Sequence, residues 1–137
     1  MDEERLTGIL GGIGLKIRER EGIVRKRLGL SEAEYRGILC IAEGERITCQ
    51  EHSRRMNLSV SRGSRVVDRL CVNDYIERVD CDADRRCKNI WLTRKGVAIR
   101  RKIAEEQRKL EDNLTGGIPD AKLLLLKGDL KRLSGKI

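Results

Sequence analysis

Between residues 5 and 28, Leu6, Leu10, Ile13, Ile17, Val24 and Leu28 recur at spacings of three, four and seven, which places them along one stripe of a helix. Gly8, Gly11, Gly12, Gly14 and Gly22 interrupt the same stretch. Each costs up to about 1 kcal/mol relative to alanine, so this helix needs a partner to pack against. Ser31-Glu32-Ala33-Glu34 predicts the start of a second helix, because a serine hydroxyl and a glutamate three residues on satisfy each other's free backbone donors. Tyr35, Ile38, Leu39 and Ala42 supply its core stripe, and Gly44 is the expected stop. Thr48-Cys49-Gln50-Glu51 repeats the capping pattern for a short third helix ending near Met56-Asn57. After a turn at Leu58-Ser59, a fourth helix over about residues 60–72 gathers Val60, Gly63, Val66, Val67 and Leu70 on one face, with Gly63 small enough to admit a neighbouring helix. The third and fourth helices are separated by only a few residues, as a helix-turn-helix requires.

Beyond Asn73-Asp74 the period changes. Residues 75–79 and 88–93 read as two strands joined by a polar loop over 80–86, which makes a β-hairpin, or wing. Thr93 is placed to cap a long helix reaching about residue 113, Gly116-Gly117 breaks it, and Pro119 opens a last helix whose expected buried stripe is Leu123, Leu126, Leu130 and Leu133. The expected fold is mainly α with a small β-hairpin wing: a winged helix-turn-helix over residues 31–95, flanked by helical regions over 1–30 and 96–137.

Composition narrows the function. The 137 residues are 39% hydrophobic and 38% charged, which suits a helical protein with solvated faces, and no stretch approaches the roughly 20 apolar residues of a spanning helix. The acidic start Met1-Asp2-Glu3-Glu4-Arg5 is unlike a secretory signal, so the expected location is the cytoplasm. Thirty Lys and Arg against 22 Asp and Glu leave a net +8, which points to a polyanionic partner. Aromatic residues are only 2% of the chain, so platforms for stacking single-stranded bases are scarce and duplex nucleic acid is favoured. Five cysteines, an odd number in a chain expected in the cytoplasm, argue against a disulfide framework and make free thiols the default reading.

Arg62, Arg65 and Arg69 fall at i, i+3 and i+7 of the fourth helix, away from its apolar face and with Ser61 and Ser64 beside them. Arginine grips guanine edges bidentately and serine reaches a phosphate or a base, so this stripe suits the major groove. The hairpin adds Arg78, Arg85, Arg86 and Lys88, with Arg85 and Arg86 at its tip for an adjacent minor groove or its phosphates. A charged stripe taken by itself is usually a solvated face. Here, however, residues 54–95 hold eleven Lys or Arg against six Asp or Glu, which is over half of the chain's excess.

The run Leu58-Ser59-Val60-Ser61-Arg62-Gly63-Ser64-Arg65-Val66-Val67-Asp68-Arg69-Leu70 resembles the recognition helix of the multiple-antibiotic-resistance regulator (MarR) family, ending in its Val-Asp-Arg-Leu. The run from Arg78 to Arg86, followed by Ile90-Trp91-Leu92-Thr93-Arg94-Lys95-Gly96, is similar to that family's wing with its Asp-Arg-Arg and its Leu-Thr-x-x-Gly exit. The resemblance implies a homodimer joined by its first and last two helices, reading a pseudo-palindromic operator in double-stranded DNA, with half-sites about one helical turn apart. It also implies a repressor released by a small-molecule effector or by cysteine oxidation, and a salt bridge from Asp84 bracing Arg86. The chain departs from the family pattern at Asp74 for a usual glycine, His52 for a usual leucine and Cys81 for a usual aspartate.

Two further groups have both a functional and a bland reading. Cys49, His52 and Met56 share a helical stripe, but no Cys-x-x-Cys is present, so no metal is expected and His52 reads as a half-buried core residue. Cys81 and Cys87 flank the wing tip as a candidate redox pair, with unreactive thiols as the bland alternative. Cys40 and Cys71 read as small core hydrophobes. No nucleophile motif or phosphate-cradling loop supports an enzyme, and no cofactor is implied. The rival to DNA binding is a winged-helix interaction module whose basic surface meets an acidic protein.

Overall fold

The computed structural model describes residues 4–81 and 84–137, and the side chains of all of these except 84–86. The chain divides into two compact units, residues 1–103 and 104–137.

In the first unit, α1 (Leu6–Leu28) ends on Gly29, whose left-handed backbone (φ 71°) turns its N–H back to the carbonyls of Arg25 and Lys26. Ser31 then starts α2 (Glu32–Leu39) through the expected reciprocal cap: Glu34 N–H donates to Ser31 Oγ, and Ser31 N–H donates to Glu34 Oε1, both at 3.1 Å. This helix stops at Cys40, earlier than Gly44 suggests. Ile41 is fully buried and leads the chain inward, and the Ala42 N–H donates to the Glu45 side chain instead of continuing the helix. A two-residue strand β1 (Ile47–Thr48) follows, which the hydrophobic pattern did not predict. Thr48 caps α3 (Cys49–Arg55), accepting from the Glu51 N–H at 3.0 Å. Only half of the expected box forms, because the Glu51 carboxylate turns to Arg54 and Arg55.

Ser59 caps α4 (Val60–Val72), whose buried face is Gly63, Val66, Val67 and Leu70. Val60, expected on that face, is 63% exposed, since it sits in the first turn where the chain has just left the turn after α3. Asp74 takes the positive φ (62°) that the change of direction into the sheet requires, a conformation aspartate tolerates. The hairpin strands β2 (Ile76–Cys81) and β3 (Asp84–Leu92) extend nearer to the tip than the polar loop predicts. The sheet order is β1-β3-β2, antiparallel throughout, with Ile47 opposite Ile90 and Ile76 opposite Leu92. Those four residues face Ile38, Ile41, Val67, Leu70 and Ile103 in one core.

Thr93 caps α5 (Arg94–Thr115), its hydroxyl accepting from the Gly96 N–H at 3.1 Å. The second unit holds the end of α5 and α6 (Asp120–Ser134), which starts after Pro119 as expected. The predicted buried stripe of α6 is not buried within the single chain: Leu126 and Leu130 are exposed, and Leu123 and Leu133 are half-buried. Leu124 and Leu125 are more open still, at 73% and 69%. Four consecutive leucines encircle the helix, so one packing partner cannot cover them all.

Gly63 lets α4 approach α3. A Cβ there would fall inside the Ser53 side chain, 2.7 Å from its Cβ and 3.2 Å from its Cα. Gly63→Ala is therefore expected to destabilise the protein by about 1–3 kcal/mol, as overpacking does. A lowered urea midpoint with an unchanged slope would verify this, and an unaltered midpoint would contradict the close approach.

Candidate nucleic-acid interface

The outward face of α4 is built by what its inward face buries. With Val66, Val67 and Leu70 held in the core, Ser61, Arg62, Ser64, Arg65 and Arg69 are all exposed, and the structure brings the five predicted residues together on one helix. Three side chains fix how that helix is presented. Ser59 Oγ accepts from the Arg62 N–H at 3.2 Å at its start. At its end, the Asn73 amide donates to Glu34 Oε2 at 2.8 Å. Between them, Arg78 of β2 donates through Nη1 to Asp68 Oδ1 at 2.6 Å.

Glu34 is 6% exposed, so its charge needs partners. Burial pushes its pKa up, but the Ser31 N–H, the Asn73 amide and the Ser31 hydroxyl outweigh that and hold it below the usual carboxylate range, with Arg69 adding attraction. Arg69 is thus exposed on α4 and also feels an internal carboxylate, so both readings of it, contact and internal pairing, have a basis. Arg55 performs a similar fastening one layer back: it donates to the Cys40 carbonyl at 2.9 Å and to Glu45 at 2.5 Å, tying the segment after α2 to α3. Glu51, bonded by Arg54 and Arg55, is pulled down to about 2.

In the wing, Lys88 pairs with Asp80 directly across the strands. The register then shifts: Asp80 faces Lys88, but Cys81 faces Asp84, so residues 85–87 have no counterpart in β2. Arg85 and Arg86 belong to this extra segment. Their side chains, and the expected Asp84–Arg86 bridge, lie outside the described residues.

Cys81 and Cys87 are joined by a disulfide, with Cα atoms 5.2 Å apart. This corrects the expectation of free thiols for that pair. The bond spans the register shift: the ladder partner of Cys81 is Asp84, and Cys87 is reached across the extra segment. Cys40, Cys49 and Cys71 are free and half-buried, and burial pushes all three thiols up. They behave as small hydrophobes against the core, as expected of Cys40 and Cys71.

His52 is fully buried rather than half-buried. Its Nε2 donates to the Gly37 carbonyl at 2.9 Å, while Nδ1 has no partner among the described residues. No group of three or more metal-binding side chains occurs among the described residues, and no helix there is long and apolar enough to cross a membrane. Sequence reasoning missed Asp68 and Glu34 as fastenings of α4. The only signal for Glu34 was its capping box, and Asp68 stood within the family-like run without a role.

A short capped helix pair, an exposed basic face on the second helix and a two-stranded wing beside it define a winged helix-turn-helix protein. Residues 30–88 match the MarR family model. That match coincides with the winged module and covers less than half of the chain. The chain is 28% identical over 104 residues to the transcriptional repressor MprA of Escherichia coli (strain K12), a match covering 74% of this chain and 59% of that protein. It thus spans about three-fifths of the length of the curated relatives it matches. Among solved structures, it is similar to Streptococcus pneumoniae FabT in complex with DNA, with a TM-score of 0.84 and 22% identity over 98% of this chain and 96% of that one. A MarR family protein from Bacillus stearothermophilus gives a TM-score of 0.80 and 21% identity over 96% and 91%. At these identities the structural likeness establishes the fold.

His52 provides a test of how the module is held together. Burial lowers its pKa below 6.5, more than the Gly37 bond raises it, with Arg55 adding repulsion. The unfolded chain therefore binds the proton more readily. The stability this supplies is complete above pH 6.5 and is lost as pH falls through the lowered folded value. Unfolding free energy measured by urea titration is expected to drop between pH 7.5 and 5, and the His-dependent part of that drop is expected to vanish in His52→Gln. Equal pH slopes in the two proteins would rule out a buried neutral His52.

Proposed function

We propose that this protein is a homodimeric transcription regulator that binds double-stranded DNA sequence-specifically and acts as a repressor in the cytoplasm. The observation that carries the reading is the outward face of α4, where Ser61, Arg62, Ser64, Arg65 and Arg69 stand exposed on a helix fastened at both ends and at its middle. Arg62 and Arg65 read base edges in the major groove, Arg69 and the serines steady the backbone, and Arg85 and Arg86 reach the flanking groove from the wing. Charge supports this division. Residues 104–137 carry seven basic and six acidic side chains, so nearly all of the net +8 belongs to the unit that holds the wing.

Homodimerisation is supported separately for each unit. Leu6, Leu10 and Ile13 leave an apolar stripe open on α1, and the leucines of α6 are open on several sides. A second copy that covers both, and spaces two α4 helices one turn of DNA apart, accounts for residues that otherwise face water. The dimerisation region is then 1–30 with 96–137, and the reading module is 31–95.

Two routes of release have footholds. A cleft of about 460 Å³ between α1 and α2 is lined by Arg18, Arg25, Arg36, Tyr35 and Leu39, with Glu21 and Glu32, a lining suited to a small-molecule effector with an acidic group and an apolar body. The other is the wing. Oxidation joins the Cys81 and Cys87 sulfurs; the two thiol protons and two electrons pass to a peroxide, whose O–O bond breaks to give two waters from hydrogen peroxide or an alcohol and a water from an organic peroxide. The bond clamps the base of the segment that carries Arg85 and Arg86 and so restrains how they meet DNA.

The test is fluorescence anisotropy with labelled duplex from upstream of the gene, against random duplex, over a salt series. Preference for the upstream duplex at two chains per site is expected, with affinity falling by orders of magnitude between about 50 and 200 mM salt. Arg86→Ala should weaken binding uniformly, whereas Arg62→Ala and Arg65→Ala should also relax sequence preference, by about 1–3 kcal/mol per lost base contact. Binding to no duplex near physiological salt would favour an acidic protein partner. Peroxide-treated protein is expected to bind more weakly than reduced protein, and Cys81→Ser/Cys87→Ser to be indifferent to peroxide. Unchanged affinity with the bond verified by mass spectrometry would remove the wing from regulation.

A further inference from the structure

Asp68 presents a problem of charge. It lies three residues after Arg65 on the exposed face of α4, among the side chains that meet a polyanion, and an open carboxylate there repels phosphate. Stability does not explain it. Its side chain is 58% exposed and that of its partner Arg78 is 37% exposed, and surface pairs of this kind contribute little to folding.

The geometry offers a different account. Arg78 Nη1 donates to Asp68 Oδ1 at 2.6 Å, and this contact joins the middle of α4 to the second strand of the wing. One guanidinium nitrogen is used there, which leaves N–H groups on the others directed away from the carboxylate. Arg78 is also next but one to Asp80 on the same face of β2, and Asp80 is occupied by Lys88. Without Asp68, the nearest carboxylate along that strand face is therefore already taken, and Arg78 has no fixed position.

We propose that Asp68 is a positioning residue for DNA binding: it holds Arg78 at the junction of α4 and the wing, where the guanidinium meets a backbone phosphate beside the groove that α4 reads. The proposal rests on the DNA-binding reading above. It assigns a role to an acidic residue that simple electrostatics would count as unfavourable.

That difference in sign makes the test decisive. Affinity for the preferred duplex is measured by anisotropy over a salt series for the wild-type protein, Asp68→Asn, Arg78→Ala and the double variant, with melting temperatures to verify folding. Removing a negative charge from a DNA-facing helix should tighten binding if Asp68 only repels phosphate. Positioning requires the opposite: Asp68→Asn weakens binding roughly three- to tenfold, and Arg78→Ala weakens it at least as much while lowering the salt slope by about one. In the Arg78→Ala background the sign should invert, so that adding Asp68→Asn restores some affinity. The proposal is overturned if Asp68→Asn binds as tightly as wild type or more tightly while Arg78 is present. Failure of the wild-type protein to bind any duplex would instead bring down the parent reading.

Discussion

The contact between Gly63 and Ser53 is the point on which the arrangement of the winged module depends. It lets α4 lie against α3 at backbone distance, and from there Val66, Val67 and Leu70 reach the core while the next residues along the helix are turned to solvent. Ser53 is itself fixed, donating to the Cys49 carbonyl one turn earlier at 3.0 Å, so it has no free rotamer with which to make room. Gly37 serves α2 in the same way, with Leu70, Val66 and His52 packed where its side chain would be. Two glycines thus allow three helices to share one small core. The five exposed residues of α4 owe their common direction to that packing more than to the helix's own propensity.

Several carboxylates on this basic protein act as fastenings between elements. Glu34 receives the end of α4 through Asn73, Asp68 receives the wing through Arg78, Asp80 receives Lys88 within the wing, and Glu43 receives Arg101 from α5 at 2.7 Å. Each joins two elements rather than two neighbours on one helix. Most are exposed and contribute little to stability, but they restrict where long cationic side chains point, which matters more for a binding surface than for a core.

The sequence was most legible where a local motif carries its own hydrogen bonds. Ser31 with Glu34, Thr93 with Gly96, and the amphipathic run of α4 all specify structure within a few residues, and the family-like blocks around Arg62 and Arg86 placed the candidate surface. What escaped was non-local or lay below the length at which a pattern is visible. A strand of two residues, Ile47 and Thr48, has no periodicity and exists because β3 offers it an edge. Glu51 is the exception: it pairs with Arg54 and Arg55, three and four residues on along its own helix, and this local competition displaces the second half of the cap. Cys81 and Cys87 were legible as a redox pair, but the register shift that their bond spans was not, because the predicted loop over 80–86 ended the strands too early. Asp68 carried no signal of its own, because its meaning comes from a residue ten positions later on another element.

The apolar surface of α1 and α6 bears on the same question of locality. An amphipathic pattern tells which residues of a helix avoid water, but not whose atoms cover them. Leu126 and Leu130 satisfied the pattern and are nonetheless open in the single chain. Under the homodimer reading the discrepancy has a physical source: the pattern belongs to an interface between two copies, and a stripe repeated around α6 corresponds to more than one covering surface. The glycines of α1 belong to the same picture. A helix with little stability of its own forms readily only when a partner supplies the burial, so folding of this segment and association of two chains would be one event rather than two.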